Sequence, residues 1–154
     1  MRDGGQRGMD EATIEITGPA AGIRITLHSR PHAQSADAWD RDASAATVAV
    51  AVGAFRGDIP TLLWSHELAG LQDALAALRG QIGHTATAHW RALDGALSLA
   101  FALTVPGQIR IDVEAHDRAV DAVLRFEIGA DQTYLAEWMG QIRRALALYP
   151  TAMP

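Results

Sequence analysis

Residues 84–129, HTATAHWRALDGALSLAFALTVPGQIRIDVEAHDRAVDAVLRFEIG, decide the fold, because they divide into four runs of strand length. Turn signals separate the runs at Asp94-Gly95, Pro106-Gly107 and Asp117-Arg118. Since such short links join only antiparallel neighbours, the stretch predicts a four-stranded meander. Apolar residues alternate along the later runs, so each strand offers the core one face. The alternating positions are Leu97, Leu99, Phe101 and Leu103, then Ile109, Ile111 and Val113, then Val120, Leu124, Phe126 and Ile128.

Two segments outside this stretch have the spacing of amphipathic helices. The first has Ser65 as its predicted N-cap and Glu67 in its first turn, where the helix dipole favours a carboxylate, and it ends at Gly80. The second has Asp131 as its predicted N-cap and ends at Pro150. Each has one apolar stripe, so each should lie on a sheet or on another helix. The stripes are Leu68, Leu71, Leu75 and Leu78, and Leu135, Trp138, Met139, Ile142, Leu146 and Tyr149.

The N-terminal third predicts three more strands. Residues 13–17 and 23–28 alternate around a Gly-Pro turn, which indicates a β-hairpin. Residues 47–55 form a third strand with valines on one side and small residues on the other. Residues 30–44 lack periodicity and predict a long loop.

The predicted fold class is α+β: a single antiparallel sheet of about six to seven strands with two helices packed on one face, in the order βββ-α-ββββ-α. Residues 1–11 are predicted to be a flexible leader, residues 12–150 a single domain and residues 151–154 a short tail. The length of 154 residues suits one domain with one core.

Composition excludes several classes of protein. With 49% hydrophobic and 20% charged residues the chain is globular, and no apolar run is long enough to cross a bilayer. Its polar N-terminus is unlike a signal peptide and it has no cysteine, so we expect a cytoplasmic protein. The absence of lysine rules out Schiff-base and P-loop chemistry. A net charge of -5 with scattered arginines argues against nucleic acid and favours a basic protein partner.

No motif predicts a catalytic centre. His66-Glu67 begins like the HExxH zinc-protease motif, but Gly70 stands where the second histidine is needed. His116 and Asp117 are neighbours in a strand and point to opposite faces, and no Gly-x-Ser-x-Gly elbow is present to complete a triad. We therefore predict a protein that is not an enzyme, with no catalytic residue and no cofactor.

The loop from His28 to Asp42 collects potential metal ligands, and with them one tryptophan. Its nitrogen and oxygen donors could hold zinc or a harder cation, although the spacing matches no known metal loop and a solvated polar loop explains them as well. We assign no metal residue and keep a small-ligand or metal-binding protein as an alternative. Trp39 is a candidate partner-binding residue, because an exposed aromatic side chain in a polar loop calls for a neighbour. The donors are His28, His32, Asp37, Asp40 and Asp42.

The second candidate surface is the polar face of the C-terminal strands, which the alternation turns away from the core. Oppositely charged pairs across strands are also the usual way in which a sheet faces water, so the surface has a purely structural explanation too. The candidate partner-binding residues here are His89, Arg91, Arg110, Asp112, Glu114, Arg125 and Glu127, with Thr85 and Thr87 beside them.

Five short pieces of the chain, in this order, carry a family resemblance. They are Gly53-Ala54-Phe55-Arg56-Gly57, the Glu67-Leu68 helix, Gly107-Gln108-Ile109, Phe126-Glu127-Ile128 and Asp131-Gln132-Thr133-Tyr134-Leu135. The order resembles the WapI-type immunity proteins of bacteria, a group that overlaps domains of unknown function. The similarity spans roughly residues 23–150, and its most characteristic piece is the last.

The resemblance implies a protein that protects a cell from a secreted polymorphic toxin by binding the toxin's active domain. It implies no catalytic residue, and no toxin-contact residue of the family is matched to a position here. A third hypothesis is an oligomeric structural module. In that case the small-residue sides of the strands, at Ala49 and Ala51 or at Ala100 and Ala102, would pack against a second copy.

Overall fold

The computed structural model describes residues 11–154 of the chain. The predicted leader lies outside the described residues except for Glu11, whose carboxylate is 2.9 Å from Nδ1 of His28. At the other end, the amide of Ala152 in the predicted tail donates a hydrogen bond to Asp42 (2.7 Å).

The first half of the chain forms a four-stranded antiparallel sheet. Its strands lie side by side in chain order, and a short helix interrupts the connection between the second and the third. Along most of the first three strands the residues that face the core alternate with more exposed ones, and the core-facing row formed by Ile14, Ile25 and Val48 continues to Ile59 in the fourth. The elements are β1 (Ala12–Thr17), β2 (Ala21–Ser29), α1 (Ala38–Asp42), β3 (Ala43–Val52) and β4 (Phe55–Trp64).

The second half of the chain forms a second four-stranded antiparallel sheet, whose strands lie between two helices in chain order. The predicted meander is confirmed, because its strands also pair in chain order. The row Leu99, Val113 and Phe126 shows that the predicted alternation places apolar side chains on one face. The elements are α2 (Ser65–Arg79), β5 (Ala86–Arg91), β6 (Leu97–Leu103), β7 (Gln108–Asp117), β8 (Ala122–Asp131) and α3 (Tyr134–Leu148).

The prediction of one sheet of six to seven strands in the order βββ-α-ββββ-α is wrong. The described chain has two separate four-stranded sheets and three helices. β8 lies against β1 and β2, but within residues 11–154 no ladder of hydrogen bonds joins the two sheets. α2 and α3 pack on each other, α3 also lies on β1 and β8, and α2 on β5 and β4. The helix pair thus contacts both sheets, and side chains from both sheets and both helices form one hydrophobic core.

The close contact between the two sheets depends on a glycine. Gly18 closes the β1–β2 turn by donating from its amide to the carbonyl of Ala21 (2.9 Å). A Cβ atom at this position would overlap the carbonyl oxygen of Gly129 in β8. Only glycine therefore allows the turn to lie against the second sheet.

The strand that sequence analysis missed is β4. Its Gly57 and Pro60 are unfavourable in a strand, and most of its side chains are exposed, so it has little apolar alternation. Pro60, which has no amide donor, is tolerated because β4 lies at the edge of its sheet.

Three smaller predictions are also corrected. The predicted 30–44 loop contains α1, and its last two residues belong to β3. The N-cap of α2 is Trp64 and that of α3 is Thr133, so neither Ser65 nor Asp131 is a cap. Val120 lies in a turn and is exposed instead of facing the core.

Candidate functional site

The seven candidate residues of the C-terminal strands lie together on the outer face of the second sheet, which we call the charged face. In β5, β7 and β8 they occupy the positions that alternate with the core residues. The register sets Asp112 beside Glu127 and Glu114 beside Arg125. The charged face consists of His89, Arg91, Arg110, Asp112, Glu114, Arg125 and Glu127.

Ion pairs within the charged face join β7 to β8. Nε of Arg125 donates to a carboxylate oxygen of Glu114 at 3.0 Å. Arg110 is shared between Asp112 (3.6 Å) and Glu127 (3.8 Å), and neither of these contacts is close. Three arginines and three carboxylates make the face neutral as a whole, so it is not a source of long-range attraction for a basic partner.

A strip of small side chains separates the β5 residues of the charged face from these ion pairs. Ser98, Ala100 and Ala102 of β6 lie between the two groups, and His89 contacts the hydroxyl of Ser98 through Nε2 at 3.3 Å. His89 and Arg91 therefore form one border of the charged face, opposite the ion pairs.

Trp39 lies on α1 and belongs to a different site, the aromatic cluster, which consists of Trp39, Trp64 and His66. The ring of Trp39 is 5.3 Å, centroid to centroid, from each of the other two rings. The indole Nε1 of Trp64 donates to the backbone carbonyl of Trp39 (3.1 Å), which ties the end of β4 to α1. Trp39 remains 41% exposed, so one tryptophan rests on a second and keeps a free side.

A buried carboxylate holds the histidine of the aromatic cluster. Asp42 is fully buried. It accepts hydrogen bonds from Nδ1 of His66 (2.7 Å), from the backbone amide of His66 (3.0 Å) and from the amide of Ala152 (2.7 Å). Burial alone would raise the pKa of Asp42, but these hydrogen bonds together hold the pKa below its ordinary value of 3.8. Asp42 therefore remains charged inside the protein and fixes the Nδ1 edge of the imidazole.

A second buried carboxylate holds the backbone beneath the tryptophans. Glu67 accepts from the amide of Trp64 (2.8 Å) and from the amide of Leu93 in the β5–β6 turn. Its own carbonyl accepts from the indole of Trp90 (2.8 Å). Burial is the main influence on Glu67 and raises the pKa of its carboxyl above the ordinary value of 4.5.

The donors of the predicted loop do not come together. His28 contacts Thr47 on the outer face of the first sheet (2.8 Å), whereas Asp37 caps α1 and Asp40 contacts Ser35. Asp42 faces inward to His66. Among residues 11–154 no group of three or more histidine, aspartate or glutamate side chains could hold a metal ion.

Two open depressions lie on the outer surfaces of the sheets. One, of about 900 Å³, crosses the first sheet over Ala49 and Ala51, and its rim carries the Arg24–Glu15 ion pair (2.8 Å). The other, of about 630 Å³, lies where Pro19 meets β7 and β8. The alanines that could serve self-association, Ala49 and Ala51 in the first sheet and Ala100 and Ala102 in the second, are all partly exposed.

Sequence analysis missed most of the aromatic cluster. Trp64 is the last residue of β4, which the sequence pattern does not predict, His66 follows it in α2, and the pattern explains Glu67 only as a helix-dipole residue. Asp42 was grouped with solvated loop residues, although it is fully buried. The usable signal was the succession of Trp64, Ser65, His66 and Glu67 at a strand-to-helix junction, where orphan amides need acceptors.

A protein-family model matches most of the described chain. No curated protein is significantly similar to the chain in sequence. Among the described residues no helix is both long and apolar enough to cross a membrane. The family model described as "Immunity protein WapI-like family" matches residues 14–150, which include both sheets and all three helices. The chain belongs to the WapI-like immunity protein family.

Proposed function

We propose that this protein neutralises a polymorphic toxin by binding it directly, without catalysing a reaction. Membership of an immunity family carries the proposal, because the match extends over nearly the whole described fold. An immunity protein needs a rigid surface that the toxin recognises, and both sheets here are anchored in one core. The partner is therefore a toxin protein, and the contact surface is part of the proposal.

The charged face supports a protein partner of mixed charge. Arg110 is shared by Asp112 and Glu127 over distances of 3.6 and 3.8 Å, so either carboxylate can turn to a cation of the partner. The side chains of these three residues are 57–60% exposed, so contact with a partner would remove them from water. Such pairs set the register and specificity of an interface more than its affinity.

Co-expression tests the proposed function. The chain is produced together with the toxin domain encoded beside its gene, and survival and co-purification are measured. We expect survival with the wild type and loss of it when Asp112→Arg and Glu127→Arg are combined, because like charges then face the basic groups of the toxin.

Glu137→Arg is the matched control, since Glu137 is exposed on α3 and lies outside the charged face. This control should protect as well as the wild type. Failure of the wild type both to bind and to protect would reject the proposed function. Protection by the double variant would reject the charged face as a contact surface.

A further inference from the structure

Two buried carboxylates serve the same surface of the molecule. Asp42 and Glu67 are the buried acidic residues of the described chain, with 0% and 5% exposure. Burying a carboxylate is unfavourable unless it is well paired, so its position needs a reason. Neither belongs to the charged face, and both act where β4 becomes α2.

Each carboxylate fixes a different part of the aromatic cluster. Asp42 holds both the imidazole and the backbone amide of His66, at 2.7 and 3.0 Å. The Glu67 carboxylate accepts a hydrogen bond from the backbone amide of Trp64 at 2.8 Å. This bond fixes the backbone from which the Trp64 indole projects. The indole then binds the carbonyl of Trp39. All three rings are thereby positioned before any partner arrives.

The indole of Trp39 is exposed, and two aspartates lie close to it in the chain. Trp39 is 41% exposed, and Leu93, whose amide shares the Glu67 carboxylate, is 56% exposed. Asp37 and Asp40, two residues before and one after Trp39 in the chain, are exposed, and within residues 11–154 neither forms an ion pair. Arg41 lies on the same short helix but forms no ion pair with either aspartate.

The guanidinium of Arg41 instead closes its own loop. It donates to the carbonyl oxygens of Ser35 and Ala36, both at 2.9 Å. Asp37 and Asp40, which flank Trp39 in the chain, therefore keep exposed carboxylates without an ion-pair partner among residues 11–154, whereas the carboxylates of the charged face already have arginine partners.

We propose that the aromatic cluster is the anchor of the toxin interface and receives a cationic side chain, an arginine of the partner protein. A guanidinium stacks on an indole face, which is electron-rich, and Asp37 or Asp40 accepts its N–H groups. Preorganised, partly apolar tryptophan sites of this kind dominate the binding energy of protein interfaces. The inference rests on the proposed function only in taking the partner to be a toxin.

A partner-free titration tests the cation site. L-Argininamide is added to the intact 15N-labelled chain, and the indole N–H signals are followed by NMR with sodium chloride at equal ionic strength as reference. The Trp39 and Trp64 signals, identified from Trp39→Phe and Trp64→Phe, should shift saturably. The Trp90 and Trp138 signals should stay in place, because both residues are buried. No shift beyond that of the salt overturns the cation site.

The acidic border has its own variant. Asp37→Asn combined with Asp40→Asn should weaken argininamide binding several-fold, because the cation loses both carboxylates. Asp73→Asn is the matched control, since Asp73 is exposed on α2 outside the cluster. An unchanged titration in the Asp37/Asp40 variant overturns the role of the acids.

The toxin complex tests the anchor itself. Trp39→Ala should weaken toxin binding at least about 30-fold, the size of an interface hot spot. Trp39→Phe keeps an aromatic face and should lose less, and melting curves show whether each variant is folded. If the wild type binds the toxin and Trp39→Ala binds equally well, the anchor is overturned. If the wild type does not bind the toxin, the proposed function fails and the argininamide titration still decides the cation site.

Discussion

The charged face and the aromatic cluster use charge in opposite ways. On the charged face the Arg125 and Glu114 side chains are 71% and 45% exposed, so their ion pair is screened by water. In the aromatic cluster Asp42 is fully buried, and its charge is directed at two groups of His66. Exposed pairs can exchange partners with little loss, whereas a buried carboxylate fixes its neighbours. The charged face is therefore adaptable, whereas the aromatic cluster is preorganised.

The largest effect is expected when the buried carboxylate is removed. Asp42→Ala leaves three donors, on His66 and Ala152, without their acceptor, so we expect a loss of about 3–5 kcal/mol in the free energy of unfolding. Urea denaturation measures the loss, and Asp40→Ala is the control, because Asp40 is exposed on the same helix. Equal stability of the two variants would show that Asp42 is not a structural anchor.

The pH dependence separates the two buried carboxylates. The pKa of Asp42 is lowered on folding, so its stabilisation is complete above pH 3.8 and is lost as the pH falls through its folded pKa. The pKa of Glu67 is raised, so the folded protein gains stability as the pH falls through that raised value toward 4.5.

Differences in unfolding free energy measure both effects. The advantage of the wild type over Asp42→Asn should shrink below pH 3.8. The unfolding free energy of the wild type should rise relative to that of Glu67→Gln as the pH approaches 4.5 from above. Parallel profiles for both variants would contradict the two opposite pKa shifts.

The smallest effect is expected on the charged face. Glu114→Gln removes the ion pair with Arg125, which is exposed, so the unfolding free energy should change by about 0.5 kcal/mol or less. Thermal melts in low and high salt measure it, and the difference from the wild type should vanish in high salt. A loss as large as that of Asp42→Ala would remove the contrast between the two surfaces.

Sequence reasoning succeeded where local signals and tertiary structure agree. In the second sheet the turns at Asp94-Gly95 and Pro106-Gly107 and the alternation of apolar residues predict the meander and its outward-facing residues. The division into two sheets could not be predicted, because it depends on the packing of α2 with α3 and on the contact of Gly18 with β8.

The aromatic cluster was out of reach for a similar reason. Asp42 and His66 are separated by 24 positions in the chain and meet only because β4, the strand without an alternating pattern, returns the chain to α1. Composition predicts that aspartates in a loop are solvated, and only the fold shows that one of them is buried. The exposed tryptophan could be singled out from the sequence, but not the residues that hold it.

The most direct test of this division of roles is the rate constants of the toxin complex, measured by surface plasmon resonance. Trp39→Ala should raise the dissociation rate at least about tenfold, since it removes a preorganised contact. Asp112→Asn combined with Glu127→Gln leaves Arg91, Arg110 and Arg125 against Glu114 alone, so the excess positive charge should act mainly by slowing association with a basic toxin, in a salt-dependent way. The account is contradicted if Trp39→Ala dissociates like the wild type while the charge-neutralised variant dissociates faster.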